Sequence, residues 1–134
     1  YLAKDFDYQK TQPAWQVAGS FFMIRKTLID QIGPFDKNFF IWFEEVDFCQ
    51  RAIKNGLEIR YFPGVNLVHY GGQSFSQKNS LRKQIIFDKS MLYYFFKQMP
   101  LRQTFIIILL IPVNILLTLI YVIFLQNKES EDIG

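Results

Sequence analysis

The sequence predicts an α/β or α+β soluble part, followed by an interfacial helix and one transmembrane helix. Three observations carry this. The first seventy residues alternate apolar runs and turn signals in the order strand, helix, helix, strand, strand. A later segment, Thr104–Leu125 (TFIIILLIPVNILLTLIYVIFL), holds no charge across 22 residues. The 134 residues are 50% hydrophobic and 18% aromatic, enough to fill one domain-sized core and leave apolar surface over. The expected divisions are 1–77, 78–103, 104–125 and a polar tail over 126–134.

Taken in order, WQVAGSFFMIR (Trp15–Arg25) is rich in aromatic and β-branched residues and reads as a buried strand. Gly19-Ser20 within it suggests a bulge or a close backbone approach. RKTLIDQIG gives a short helix with Leu28, Ile29 and Ile32 on its apolar face, ended by Gly33-Pro34. FDKNFFIW is a loop or a short extended piece. Phe43–Asn55 is the next helix, with Val46, Cys49 and Ile53 at helical spacing and Gly56 as its stop. LEIRYFP and VNLVHY are strand-like runs divided by Pro63-Gly64, and GGQSFSQKNS is a polar loop. From Leu81 the pattern is helical again. About 75 soluble residues make a thin α/β core, so further sequence ahead of Tyr1 is expected.

Thr104–Leu125 would extend roughly 33 Å as a helix, against a bilayer core of about 30 Å. Pro112 and Asn114 lie mid-span, where they suggest a kink or a contact with another helix. Six basic residues from Lys78 to Arg102 face the single acid Asp88, while Lys128, Glu129, Glu131 and Asp132 follow the span. The excess of basic charge ahead of the span puts that side in the cytoplasm, with the chain in the cell membrane. MLYYFFKQMP (Met91–Pro100) suits the headgroup boundary, where rings bury and polar tips stay wet.

The formal charge of +3 comes without the basic stripe that nucleic acid demands, so nucleic acid is not an expected partner. Cys49 is the only cysteine, which excludes an internal disulfide and fits a reducing compartment. Tyr1–Lys10 is too polar for a signal peptide.

NFFIWFEEVDFCQRA (Asn38–Ala52) places Glu44, Glu45 and Asp47 directly behind large aromatics. On a helix, Glu44, Asp47 and Arg51 share a face, with Asp47 and Arg51 an (i, i+4) pair. Glu45 lies about 100° around the axis, near the helix N-terminus. Aromatic walls from Phe39, Phe40, Trp42 and Phe43 would limit its solvation and raise its basicity, against the helix dipole. Such a carboxylate can act as a general base. All three acids can equally cap the helix and face water. His69, the only histidine, ends a strand-like run before Gly71-Gly72, as a metal or phosphate ligand or as a structural imidazole. Asp5-Phe6-Asp7 has D-x-D spacing but follows no apolar strand, and reads as a solvated segment.

In their order, AGSFFMIRK, IGPFDKNFFIWFEEVDFCQRAIKNG, IRYFPGVNLVHYGGQS and KSMLYYFFKQ resemble the C-terminal half of the glycosyltransferase family 2 catalytic domain, most nearly its rhamnosyltransferase-like branch. The likeness covers about Trp15 to Lys97. It implies the C-terminal part of a GT-A, Rossmann-like α/β fold. The family's nucleotide-binding half, with its D-x-D metal motif, has no counterpart in this sequence. The family's base is the second acid of its Glu-Asp motif, and Glu45 stands there as a Glu in place of Asp. Glu44 matches the first acid. Asp47 and Arg51 match the acid and the arginine that follow. His69 matches a histidine that often helps hold the metal on the diphosphate, Mg²⁺ or Mn²⁺. Gly19 and Ser20 match the border of the acceptor and sugar pocket, and Trp42 joins them and Arg51 as a substrate-binding candidate.

The resemblance implies inverting transfer from a nucleotide-sugar donor to a hydroxyl of a lipid-linked or cell-surface glycan acceptor, with the membrane as a further partner. A non-catalytic, membrane-anchored binding or scaffold module is the alternative. A processive synthase would carry Q-x-x-R-W after the acids, and that motif is absent.

Overall fold

The computed structural model describes residues 4–68 and 81–131. The chain divides into two compact units. One holds the residues up to Lys37 together with Glu44–Tyr70, and the other holds Asn38–Phe43 with the residues from Gly71 onward.

The first unit is mostly helix and loop. Its sheet is a two-stranded antiparallel ribbon, β1 (Gln12–Pro13) against β2 (Arg60–Tyr61), with Gln12 opposite Tyr61. Phe6 and Tyr8 both meet Tyr61 edge-on beside it and are tilted against each other, with ring centroids 4.9–5.6 Å apart. The long strand expected over Trp15–Arg25 does not form. That stretch is irregular apart from one 3₁₀ turn at Gly19–Phe21, which extended residues Ala18 and Phe22 flank. A strand needs a neighbour for its backbone groups, and among the described residues only β1 and β2 supply one another. Leu57–Pro63 keeps two ladder residues, and Val65–Val68 keeps none.

Helix α1 (Lys26–Ile32) ends where Gly33 takes φ +79° and its N–H returns to the Ile29 carbonyl at 2.9 Å. Helix α2 (Glu44–Lys54) carries its acids in the first turn and Arg51 and Lys54 in the last, as the helix dipole favours. It closes on Gly56 at φ +73°. The Leu57 N–H reaches back to the Ala52 carbonyl and the Gly56 N–H to that of Ile53, a Schellman closure.

Of the expected Val46–Cys49–Ile53 stripe only Cys49 is fully buried, and the buried face of α2 is wider. It consists of Asp47, Phe48, Cys49 and Ala52. Phe48 sits in an aromatic cluster with Phe22 and Phe35, at 5.8 and 4.9 Å between centroids. A fully buried carboxylate is tolerated on this face because Arg51 Nε donates to Asp47 Oδ2 at 2.9 Å. The remaining guanidinium nitrogens donate to the carbonyls of Ile32, Gly33 and Pro34, and the plane lies 5.0 Å above the Phe48 ring. One side chain thus ties α2 to the turn after α1.

In the second unit, helix α3 (Leu81–Gln98) reverses at Met99-Pro100 into helix α4 (Leu101–Glu131). Thr104 Oγ1 donates to the Phe95 carbonyl at 3.1 Å and closes the hairpin. Further along, Asn114 Nδ2 donates to Asp88 Oδ1 at 3.2 Å, and Gln84 Nε2 donates to the same oxygen at 2.9 Å. Pairing Phe95 with Thr104 and Asp88 with Asn114 makes α3 run antiparallel along α4. The contact expected of Asn114 with another helix is made with α3. Leu101–Ile123 is long and apolar enough to cross a membrane, and most of its side chains are exposed. Pro112 sits inside the helix.

Asn38–Phe43 packs on α3. Ser90 Oγ donates to the Ile41 carbonyl at 2.8 Å, Asn38 Nδ2 reaches the Tyr93 hydroxyl at 3.2 Å, and the Phe39 ring meets Tyr93 edge-on at 4.9 Å. Trp42 and Phe43 both hold positive φ, +63° and +67°. Such values in aromatic residues cost about 1–3 kcal/mol each. Trp42 packs on Phe87, and Phe43 on Phe87 and Tyr94, contacts that offset the strain.

Replacing Arg51 with Ala removes the counter-charge of the buried Asp47 carboxylate and frees three carbonyls. The expected loss is about 3–5 kcal/mol in urea unfolding of the chain. A loss below about 1 kcal/mol, the size of a surface pair, would mean that the clamp is idle.

Candidate functional site

The candidate site lies in the first unit, at the start of α2. Position in the first turn gives Glu44 and Glu45 free backbone N–H groups nearby and the positive end of the dipole. Neither has a cation partner among the described residues, because the one arginine on this helix is held by Asp47 and the turn carbonyls. Both side chains keep one oxygen, Oε2, closed off from water and without a hydrogen-bond partner. An acceptor oxygen in that state is a base without its proton donor.

Burial is the main cause that pushes the Glu45 carboxyl above its ordinary range. The adjacent Glu44 charge adds to it, and the residue's own backbone N–H opposes both. The Glu44 and Glu45 carboxylates are thus unlike Asp47, which is fully buried and ion-paired.

Gly19 is the close neighbour of Glu45. A Cβ at Gly19 would lie 3.8 Å from Glu45 Cβ and 3.9 Å from its Cδ. The 3₁₀ turn at Gly19–Phe21 therefore forms a wall against this carboxylate, with Gly19 and Ser20 exposed. The close approach expected of Gly19-Ser20 is present, in a turn instead of a strand bulge. Behind it, burial raises the Cys49 thiol, against a backbone hydrogen bond from Val17. That keeps the one cysteine in its unreactive form.

Of the residues singled out from the sequence, the structure gathers Gly19, Ser20, Glu44 and Glu45. Asp47 and Arg51 are joined to each other and to the turn after α1, which makes them the frame of the site. Trp42 belongs to the second unit and lies against Phe87. Of the expected aromatic walls, Phe39, Trp42 and Phe43 have their contacts on α3, with Tyr93, Phe87 and Tyr94, and Phe40 is exposed. His69 lies outside the described residues. Among the described residues no three His, Cys, Asp or Glu side chains gather as a metal site.

Similarity to known proteins points to sugar transfer. The chain is 30% identical over 69 residues to the rhamnosyltransferase WbbL of Escherichia coli, covering 52% of this chain and 26% of that protein. It is 33% identical over 58 residues to a low-salt glycan biosynthesis hexosyltransferase of Haloferax volcanii, covering 43% and 19%. It is 30% identical over 63 residues to an N-acetylglucosaminyl-diphospho-decaprenol L-rhamnosyltransferase of Mycobacterium tuberculosis, covering 47% and 20%. The chain thus spans about a quarter or less of the curated relatives it matches. No family model matches it, and no solved structure does. The relatives are glycosyltransferases, and the likeness supports a chain of that kind at low identity.

A carboxyl whose pKa is raised by folding stabilises the fold at low pH, and that stability is lost as the pH climbs through the raised value. Glu45→Gln removes the charge that forms there. The variant is expected to melt above the unmodified chain at pH 7.5, with the difference shrinking toward pH 4. Equal melting temperatures at both pH values would mean that the Glu45 carboxylate is fully solvated.

Proposed function

We propose that this chain is the acceptor-side portion of an inverting glycosyltransferase, with Glu45 as the general base. The observation that carries this is the Glu45 carboxylate itself: half-buried, uncompensated by a cation, raised in basicity, and offering an oxygen that lacks a donor. An acceptor hydroxyl supplies that donor. As its oxygen bonds to the anomeric carbon of a nucleotide sugar, its proton passes to Glu45. The bond from that carbon to the diphosphate breaks on the opposite face, and the nucleotide leaves with the electron pair. Glu44 keeps the Glu45 proton affinity high through its charge. The Asp47–Arg51 pair keeps the arginine from neutralising the base. Gly19 leaves room for the carboxylate to reorient.

The relatives' names favour a diphosphate-linked lipid as the acceptor and rhamnose or another hexose as the donor sugar. The apolar helix α4 would hold the enzyme at the membrane surface where such acceptors lie, with the catalytic part on the cytoplasmic side. The activity is proposed for the whole protein, of which a nucleotide-binding portion is a necessary part.

Glu45→Gln in the whole protein is expected to lower sugar transfer by about 10²–10⁴-fold and to leave nucleotide-sugar binding unchanged, as measured by radiolabelled transfer and equilibrium binding. Glu45→Asp should retain part of the activity. Near-normal turnover by the glutamine variant would refute the assignment.

A further inference from the structure

Within the second unit, helix α3 sorts its side chains by kind around its axis. At about 100° per residue, Leu92, Ile85 and Phe96 fall within a strip of about 40°. Ile85 and Phe96 in that strip are 47% and 54% exposed. On one side of the strip lies Asp88, bonded to Asn114 of α4. On the other side lie Lys89, Arg82, Lys97 and Lys83, in a sector of about 120°. Over this cationic side the Asn38–Ile41 segment forms a cleft of about 860 Å³, with Arg82, Lys89 and the exposed Phe40 in its lining. Helix α4 is different. From Phe105 to Ile123 it is exposed and apolar on every side except toward α3. The two helices are paired along all of that length. Thr104 meets Phe95 near the turn, Asn114 meets Asp88 midway, and Thr118 and Tyr121 line a hollow with Lys83 and Gln84 near the far end.

A paired α4 cannot stand upright in a bilayer without taking α3 with it. Lys89, the residue after Asp88, would then sink to about the depth of Asn114, where an ammonium group is costly. Lying flat satisfies every feature. Helix α4 is about 10 Å wide with its side chains, and half of a bilayer's hydrocarbon core is about 15 Å deep. With α4 immersed in that half, α3 rests above it. The strip of Leu92, Ile85 and Phe96 then meets the hydrocarbon boundary, and the cationic sector reaches the headgroups. We infer that the α3–α4 hairpin binds one leaflet of a phospholipid bilayer in plane, with α4 below the headgroups and Arg82 and Lys89 on their phosphates, and does not cross it. This assigns Thr104–Leu125 an in-plane role where a span was expected. It concerns attachment alone, beyond the chemistry proposed for Glu45.

The test is a depth profile of the full chain, carrying Cys49→Ala, in vesicles of phosphatidylcholine and phosphatidylglycerol. Single cysteines replace Phe105, Leu109, Val113, Leu116 or Ile120, exposed positions on one face of α4, and each is spin-labelled in turn. Power saturation is expected to give one shallow depth below the headgroups at every position. An upright α4 would deepen by about 12 Å from Phe105 to Val113 and rise again toward Ile120, and that profile would overturn the inference. Labels at Ile85→Cys and Phe96→Cys should lie at the headgroup boundary, and labels in bulk water would overturn it. So would spin–spin broadening along α4, the sign that a second copy covers the helix. Sidedness provides an independent measurement. In sealed membrane vesicles from expressing cells, an impermeant maleimide should reach Gln98→Cys and Ser130→Cys from the same face. Labelling from opposite faces would mean that α4 crosses, with the hairpin open or closed.

Discussion

Arg51 is the constraint on which the first unit depends. Its guanidinium satisfies a carboxylate that has no access to water, three carbonyls of the turn after α1, and the face of the ring at the centre of the aromatic cluster. Lysine could meet one of these demands at a time, because it lacks the planar fork. The same contacts decide the electrostatics of the helix start. With Arg51 fixed toward the α1 turn, Glu44 and Glu45 are left beside one another without a counter-charge. Packing and electrostatics are therefore linked here: burial raises the Glu45 carboxyl, and the pair that stabilises α2 keeps Arg51 from offsetting it.

The second unit relies on a different device. Its helices are joined by few polar contacts placed far apart, at Thr104 near the turn and at Asp88 and Asn114 further along. The Asn38–Phe43 segment is held to α3 by a hydroxyl, an amide and four aromatic contacts, which together outweigh two residues in left-handed backbone. A segment held that firmly makes a rigid wall.

Helices were the legible part of the sequence. The bounds of α1 and α2 follow from Gly33 and Gly56, whose positive φ values are the stop signals that glycine supplies, and the uncharged run marks α4 by composition alone. Strands were legible only in part, because a strand is a property of two segments: β2 forms inside LEIRYFP and is two residues long. Trp15–Arg25 has the residues of a strand and lacks the partner, so its backbone turns at Gly19. Glu45 stood out because its neighbours' spacing assigns Arg51 to Asp47, and that pairing depends only on local helix geometry. The three carbonyl bonds of Arg51 were hidden, since they join residues seventeen to nineteen positions apart. The Arg82 and Lys89 cleft was hidden as well. Both cations were visible as excess basic charge, but the wall opposite them comes from a segment more than forty residues earlier.

The bond from Asn114 to Asp88 has a consequence for how α4 could enter a lipid phase. An amide in the middle of an otherwise oily helix, taken alone into hydrocarbon, would have nothing to donate to, at a cost of several kcal/mol. Here the helix brings its own acceptor, folded back from the preceding helix. Yet that acceptor is a carboxylate, and Lys83 and Lys89 lie on the same helix beside it. Insertion with the hairpin closed would carry formal charges to the bilayer's mid-depth, whereas insertion with it open would leave the amide bare. Asn114 thus makes the state of the hairpin and the depth of α4 a single variable, so that neither can change without the other.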